Sequence, residues 1–187
     1  MNKSDAPPPA LGFLTVVEHP ALGLTGGYLI LNTSGRPLEF HCTAPVKPNR
    51  AQQILFGPTL QAYLFGEQIG QTLVSKGSAA PLVVFVDAAP AMCVRDYVSL
   101  PVALVVVDGS AQDATTKSKN SEGGGSLTDG SPTTFKVGRN SLAVCPGREN
   151  DRAELLSRLA ALENFDLGEP FGRIREAIEE AHKGRAA

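Results

Sequence analysis

Residues 27–43, GYLILNTSGRPLEFHCT, decide the fold that this sequence predicts. Two apolar-rich runs flank residues 32–35, whose asparagine, serine and glycine favour a tight turn between antiparallel strands. Just before this stretch, Thr15, Val16 and Val17 form a β-branched run that favours extended backbone, and Pro20 ends it. The first part of the chain therefore predicts a three-stranded antiparallel meander.

The spacing of apolar residues changes after this meander. Over residues 47–77, KPNRAQQILFGPTLQAYLFGEQIGQTLVSKG, they recur every three to four positions, as in a helix. Asn49 can cap its start, Lys76 and Gly77 can end it, and Pro58 predicts a kink inside it. The helix is apolar on more than one side, so we expect it to be central and covered on more than one side.

Two continuous apolar runs follow the helix, APLVVFVDAAP at 80–90 and DYVSLPVALVVVDG at 96–109. Such runs are typical of strands that are buried on both faces. Residues 109–131 are rich in serine, glycine, threonine and aspartate, which predicts a mobile loop. TTFKVGRNSLAVCPG at 133–147 then predicts a second hairpin.

The last forty residues predict two helices. Asp151 with Glu154 resembles a capping box before a leucine-rich helix, and Phe171, Ile174 and Ile178 form one apolar stripe on the next. The order of elements predicts an α/β fold of the α+β type, with a mixed, largely antiparallel sheet, one long kinked central helix and a C-terminal helix pair. We expect a flexible proline-rich leader over 1–10, a core domain over 11–147 and the helical pair over 148–187.

Composition narrows the classes of function. The net charge is −2, aromatic residues make up 6% of the 187 residues and tryptophan is absent, so we expect no nucleic-acid partner. No apolar run reaches the roughly 18 residues of a spanning helix, so we expect no membrane association. Three widely spaced cysteines do not form a disulfide framework, which indicates a reducing, cytoplasmic location.

The candidate chemical residues lie on strands or at their ends. Alternation along residues 38–42 places Leu38, Phe40 and Cys42 on one face, which we expect to meet the core, and Glu39 with His41 on the other. Strand-end carboxylates can lie at the ligand-binding edge of an open sheet, although they more commonly cap turns. The weak catalytic candidates are Glu39, His41, Asp87 and Asp108.

Metal and anion sites receive less support. The cysteines and histidines show none of the short-range spacings of a structural zinc site, so we expect neither a metal nor another cofactor. Lys47 and Arg50 flank the start of the central helix and are weak candidates for anion binding.

The sequence contains no recognisable motif for nucleophilic catalysis, so whether the protein is an enzyme stays open. Our preferred interpretation is a non-enzymatic cytoplasmic α/β module that acts through a protein partner or self-association. Its contact surface would be the apolar stripe Phe171, Ile174 and Ile178. The alternative is a small metal-assisted, nuclease-like hydrolase that uses the candidate carboxylates together with His41.

Overall fold

Seven strands form one sheet in the computed structural model, which describes residues 9–106, 132–162 and 164–184. The spatial order is β3-β2-β1-β4-β5-β7-β6. The strands are β1 (Ala10–His19), β2 (Gly23–Asn32), β3 (Pro37–Cys42), β4 (Pro81–Val86), β5 (Val102–Val106), β6 (Thr133–Val137) and β7 (Asn140–Val144). Most of the proposed leader, the proposed loop at 109–131 and the candidate Asp108 lie outside the described residues.

The sheet is mixed and largely antiparallel, as the sequence predicted. Strands β1 to β3 form the expected meander, and β5, β7 and β6 are also joined by antiparallel pairing. The parallel pairs among the described strands are the two that β4 forms, with β1 on one side and with β5 on the other. The carboxyl ends of β1 and β4 therefore lie at the same edge of the sheet.

The long kinked helix is confirmed. Helix α1 (Arg50–Phe56) begins at the predicted cap, where Asn49 and Gln52 form a reciprocal capping box. A single 3-10 turn (Gly57–Thr59) follows, in which Gly57 has a φ of +47° and Pro58 blocks continuation of α1. The helical rod then runs on through residues 60–74, here called α2, most of it in π-helical geometry (Tyr63–Gln71).

Helix α2 is covered on two sides, which explains its excess of apolar residues. Towards the sheet it packs on Gly26, where a β-carbon would lie 2.8 Å from Cδ1 of Leu73 and closer still to Ile69. On another side a 3-10 helix (Ala89–Asp96) approaches Gly66, where a β-carbon would lie 2.8 Å from Cβ of Cys93. Both approaches depend on the missing side chain of glycine.

The opposite face of the sheet is covered by α3 (Glu149–Arg158), a 3-10 turn (Ala160–Leu162) and α4 (Glu169–Lys183). Helix α4 crosses β1 and β2, and Phe171, Ile174 and Ile178 are at most 1% exposed there. The prediction that this stripe forms a partner surface is therefore wrong. Periodicity reveals an apolar stripe, but it does not reveal whether the chain's own sheet covers it.

Helix α3 begins differently from the predicted capping box. Its N-cap position is Arg148, which makes no side-chain capping bond, and Asp151 lies inside the helix. The Asp151 carboxylate instead accepts two hydrogen bonds from Arg95, at 2.6 and 3.0 Å. The local motif could not reveal this partner, which lies 56 residues earlier in the chain.

Strand β3 reverses the faces expected for residues 38–42. Leu38 and Phe40 are 44% and 40% exposed, whereas Glu39 and His41 are partly buried. The cause is the position of β3 at the edge of the sheet, since α4 lies over β1 and β2 and does not extend across it. The segment after α2 covers the face that carries Glu39.

Candidate functional site

A partly buried polar contact joins strand β1 to the carboxyl end of β4, just beyond the last residues that the two strands pair in parallel. Thr15 of β1 donates a hydrogen bond from Oγ1 to Oδ2 of Asp87 at 2.7 Å, immediately after β4. Only 7% of the Asp87 side chain is exposed. Arg175 of α4 contacts the same carboxylate oxygen and is about half exposed, so its guanidinium lies between Asp87 and solvent.

The Asp87 carboxylate is only partly satisfied. Oδ1 is buried and has no hydrogen-bond partner among the described residues. Burial raises the pKa of this carboxyl, while the hydrogen bond from Thr15 and the charge of Arg175 act in the opposite direction. Buried carboxyls with perturbed pKa values are common at functional sites, although structural ion pairs also perturb pKa values.

Further polar groups continue along this face of the sheet. His182, two turns after Arg175 on α4, lies 3.2 Å from Oγ1 of Thr25 through its Nε2 atom. The ring of His19, at the end of β1, meets the His182 ring edge-on with the centroids 6.0 Å apart. We call the six residues the carboxyl-end cluster: Thr15, His19, Thr25, Asp87, Arg175 and His182.

Glu39 and His41 lie on the other face of the sheet and do not meet Asp87. They pair with Ile30 and Tyr28 of β2, whose side chains lie in the core beneath α2. Phe85, two residues before Asp87, lies in the core beneath α4. The hypothesis that Glu39, His41 and Asp87 form one catalytic group is therefore contradicted by their placement.

Glu39 caps the turn that follows α2. Its carboxylate accepts hydrogen bonds from the backbone N–H groups of Ser78 and Ala79, at 2.9 and 2.6 Å, and from His41 Nε2 at 3.0 Å. These bonds lower the pKa of Glu39, with the contribution of His41 the largest. This arrangement connects the edge strand β3 to the segment that leads into β4, so Glu39 has a structural, turn-capping role.

Lys47 and Arg50 are both exposed near the start of α1. The capping box formed by Asn49 and Gln52 already satisfies N–H groups at this helix terminus. Helix α1 has only seven residues, so its dipole adds little attraction for an anion. Lys47 approaches the carbonyl oxygen of Ala21 at 3.5 Å, and anion binding by this pair stays a sequence-based prediction.

Sequence reasoning found Asp87 but missed the residues that contact it. The sequence pattern indicates only that Thr15 is a strand residue and that Arg175 belongs to the polar face of α4. The three come together only because β4 is parallel to β1 and α4 folds back over β1 and β2. Within the described parts of the chain, no group of three or more His, Cys, Asp or Glu side chains could hold a metal ion.

No protein-family model and no curated protein matches the chain. Among solved structures it is similar to Ciona intestinalis Endonuclease V, in two complexes with DNA that contains an inosine followed by a ribo-adenosine. Identity is 14% in both, with 51% and 52% of this chain and 44% and 45% of that chain covered, at TM-scores of 0.35 and 0.34. It is also similar to Marinitoga piezophila Argonaute in complex with 5′ OH guide RNA, at 11% identity over 51% of this chain and 16% of that chain, with a TM-score of 0.29.

The chain thus spans less than half the length of these proteins. Each of these three structures holds DNA or RNA, whereas the sequence predicted a protein partner or a second copy and no nucleic acid. Net charge and aromatic content are averages over the chain, so they do not exclude a local nucleic-acid contact. In the part of the chain that is described, the helices are too short or too polar to cross a membrane.

Proposed function

We propose that the protein binds nucleic acid at the carboxyl-end cluster and that Arg175 contacts the phosphate backbone. The observation that supports this most directly is the anchoring of Arg175 by the nearly buried Asp87, which Thr15 holds in turn. A guanidinium has five N–H donors in a planar fork that matches a phosphate group. Asp87 accepts from one side of this fork. The Arg175 side chain is about half exposed, so its other N–H groups are left for a ligand.

The position of the cluster also favours a ligand. In open α/β sheets, ligands bind outside the carboxyl ends of the parallel strands, and Asp87 follows the carboxyl end of β4. Arg175 and His182 are seven residues apart on α4, which corresponds to about 10 Å along a helix. At about 3.4 Å per nucleotide along one strand, this distance corresponds to roughly three nucleotides.

The electrostatics limit the contact to a few phosphates. The solvent face of α4 also carries the exposed acidic residues Glu176, Glu179 and Glu180, which repel a backbone that lies along the whole helix. A protein that neutralises one or two phosphates shows a slope of log K against log salt of about −1 to −2. We therefore expect weak binding with a shallow dependence on salt.

The test is fluorescence anisotropy with labelled single-stranded DNA, single-stranded RNA and duplex DNA, between about 50 and 200 mM salt. Arg175→Gln should weaken binding to every sequence and reduce the salt slope by about one. Arg148→Gln is the matched control, because Arg148 is similarly exposed and also pairs with an aspartate, Asp96. Equal binding by wild type and Arg175→Gln would refute the proposal.

Asp87 is a positioning residue in this proposal, since it reaches the ligand only through Arg175. Asp87→Asn should weaken binding, and combining it with Arg175→Gln should add little to the loss that Arg175→Gln causes alone. A purely structural Asp87 would lower the melting temperature and leave the salt slope of the folded protein unchanged. Strictly additive losses in binding would contradict the positioning role.

A second candidate function is hydrolysis of the bound phosphodiester, which the raised pKa of Asp87 favours. This second function requires Arg175 to move off Asp87 and onto the phosphate, which uncovers the carboxylate. The ionised Asp87 would then accept a proton from an attacking water while the bridging P–O bond breaks and the leaving oxygen takes a proton from solvent. Cleavage should increase as the pH rises through this raised pKa, since the charged form is the base. Labelled DNA and RNA are incubated with the protein in the presence of Mg²⁺ or of a chelator. Asp166→Asn is the control variant for Asp87→Asn. Absence of cleavage by the wild type in both conditions would exclude this role.

A further inference from the structure

A groove of about 240 Å³ lies on the face of the molecule that carries α1 and α2, remote from the carboxyl-end cluster. Its walls come from the end of α1, the first turns of α2 and the end of the 3-10 helix Ala89–Asp96. Three aromatic rings line it, from Phe56, Tyr63 and Tyr97, together with the carboxylates of Glu67 and Asp96. Neither the candidate chemistry of the sequence nor the proposed nucleic-acid contact accounts for this surface.

The kink at Gly57 builds one wall of the groove. It turns α1 so that the ring of Phe56 stacks on the ring of Tyr63, with centroids 4.1 Å apart and planes inclined by 19°. Both rings are partly exposed, and Tyr63 also packs against the core beneath α2. Tyr97 stands on the other side and donates a hydrogen bond from its hydroxyl to Oε2 of Glu67 at 3.2 Å.

These rings differ from most aromatic residues of the described chain because each of them is partly exposed. Tyr97 is 42% exposed, and Phe56 and Tyr63 are partly exposed, whereas most phenylalanines and Tyr28 are buried. Two of the three tyrosines of the chain line this one groove. Exposed aromatic rings gathered in a concave surface indicate a ligand-binding site more than a packing defect.

The charge of the groove selects the class of ligand. Among the described residues that line it, none is basic, and Glu67 and Asp96 are both acidic. Arg148 pairs with Asp96 from outside the groove at 3.1 Å, while among the described residues Glu67 accepts a side-chain hydrogen bond only from the neutral hydroxyl of Tyr97. The groove therefore repels phosphates and carboxylates and attracts a cation.

We propose that this groove binds a small organic cation of the quaternary or alkylated ammonium class. Such a cation lies over aromatic faces within about 6 Å of the ring centroids, where the negative face of each ring attracts it. Its alkyl groups are weakly hydrated and pack on the rings, while Glu67 supplies the opposite charge. An inorganic cation would be attracted by the Glu67 carboxylate but has no alkyl groups to pack on the rings.

The probe is tetramethylammonium chloride, added to the full chain at constant ionic strength maintained with sodium chloride. Binding is followed by saturation-transfer NMR of the methyl protons and by tyrosine fluorescence, since the chain has no tryptophan. The neutral probe tert-butanol has nearly the same shape. We expect saturable transfer to the cation and much weaker transfer to tert-butanol, and equal transfer to both would overturn the proposal.

Three variants locate the site. Tyr97→Leu should weaken binding about two- to five-fold, the equivalent of one exposed cation–π contact, and Glu67→Gln should weaken it by a similar factor. Phe40→Leu is the matched control, because Phe40 is 40% exposed on strand β3 and does not line the groove. Undiminished binding in both Tyr97→Leu and Glu67→Gln would show that the cation binds elsewhere and would refute the assignment.

A further variant separates loss of the ring from loss of local structure. Tyr97→Phe retains the aromatic face and removes only the hydroxyl that bonds Glu67. We expect this variant to retain binding within about two-fold of the wild type, since the cation–π contact is unchanged. A loss as large as that of Tyr97→Leu would show that the hydrogen bond rather than the ring maintains the site, and would contradict the cation–π assignment.

Discussion

Replacing Gly27 with alanine forces a methyl group into the interface between β2 and helix α4. A β-carbon at Gly27 would lie 3.0 Å from Cδ1 of Ile178 and closer still to Cγ2 of Ile174. Carbon atoms pack best at about 3.5–4.0 Å, so the helix or the two isoleucine side chains must move. The experiment decides whether α4 docks on its own sheet, where the sequence had predicted a partner surface.

The magnitude follows from the packing of the two residues. Overpacking of this kind costs about 1–3 kcal/mol, and Ile174→Ala alone costs about 2–5 kcal/mol because Ile174 is fully buried. In the double variant the new methyl group enters the space that Ile174 vacates. The combined cost should therefore be smaller than the sum, with a coupling of about 0.5–3 kcal/mol.

The assay is urea unfolding of the four proteins of the cycle, followed by far-ultraviolet circular dichroism. Gly172→Ala is the matched control, because Gly172 lies in α4 and a β-carbon there would have no neighbour within 4 Å. This control should be neutral or stabilising by up to about 1 kcal/mol, as expected for glycine to alanine in a helix. Strict additivity of Gly27→Ala and Ile174→Ala would refute the docking of α4 on β2.

Three further predictions concern other parts of the molecule. The lowered pKa of Glu39, due chiefly to His41, means that its stabilisation is complete above the unfolded carboxyl pKa and disappears as the pH falls through the lowered folded value. Glu39→Gln should therefore lower the melting temperature near pH 7 and have little effect near pH 2. Arg95→Met leaves the nearly buried Asp151 carboxylate unpaired and should cost about 3–5 kcal/mol in urea unfolding, of which a second change, Asp151→Asn, should restore part. Gly57→Ala places a side chain at a φ of +47° in open space, so it should lower stability in thermal unfolding by about 1–2 kcal/mol, through backbone strain alone.

The local elements of this protein were predictable from its sequence because their causes are local. The meander follows from two apolar runs around a turn, and the capping by Asn49 and the kink at Pro58 depend on residues within a few positions. The mixed, largely antiparallel sheet then follows from the order and burial of the runs. Each of these features is set by backbone conformation and hydrophobic periodicity, which act over a few residues.

Tertiary structure alone decided which side chains meet. Thr15 and Asp87 are 72 residues apart, and Arg175 is a further 88 residues along the chain from Asp87. Glu39 on its strand and Asp87 at the end of another were both candidate catalytic carboxylates, yet the register of β3 and the path of β4 place them on opposite faces of the sheet. Periodicity also showed the apolar stripe of α4 without showing what covers it. Side-chain proximity across a sheet depends on strand order and helix docking, which are properties of the whole packed chain and leave no local mark on the sequence.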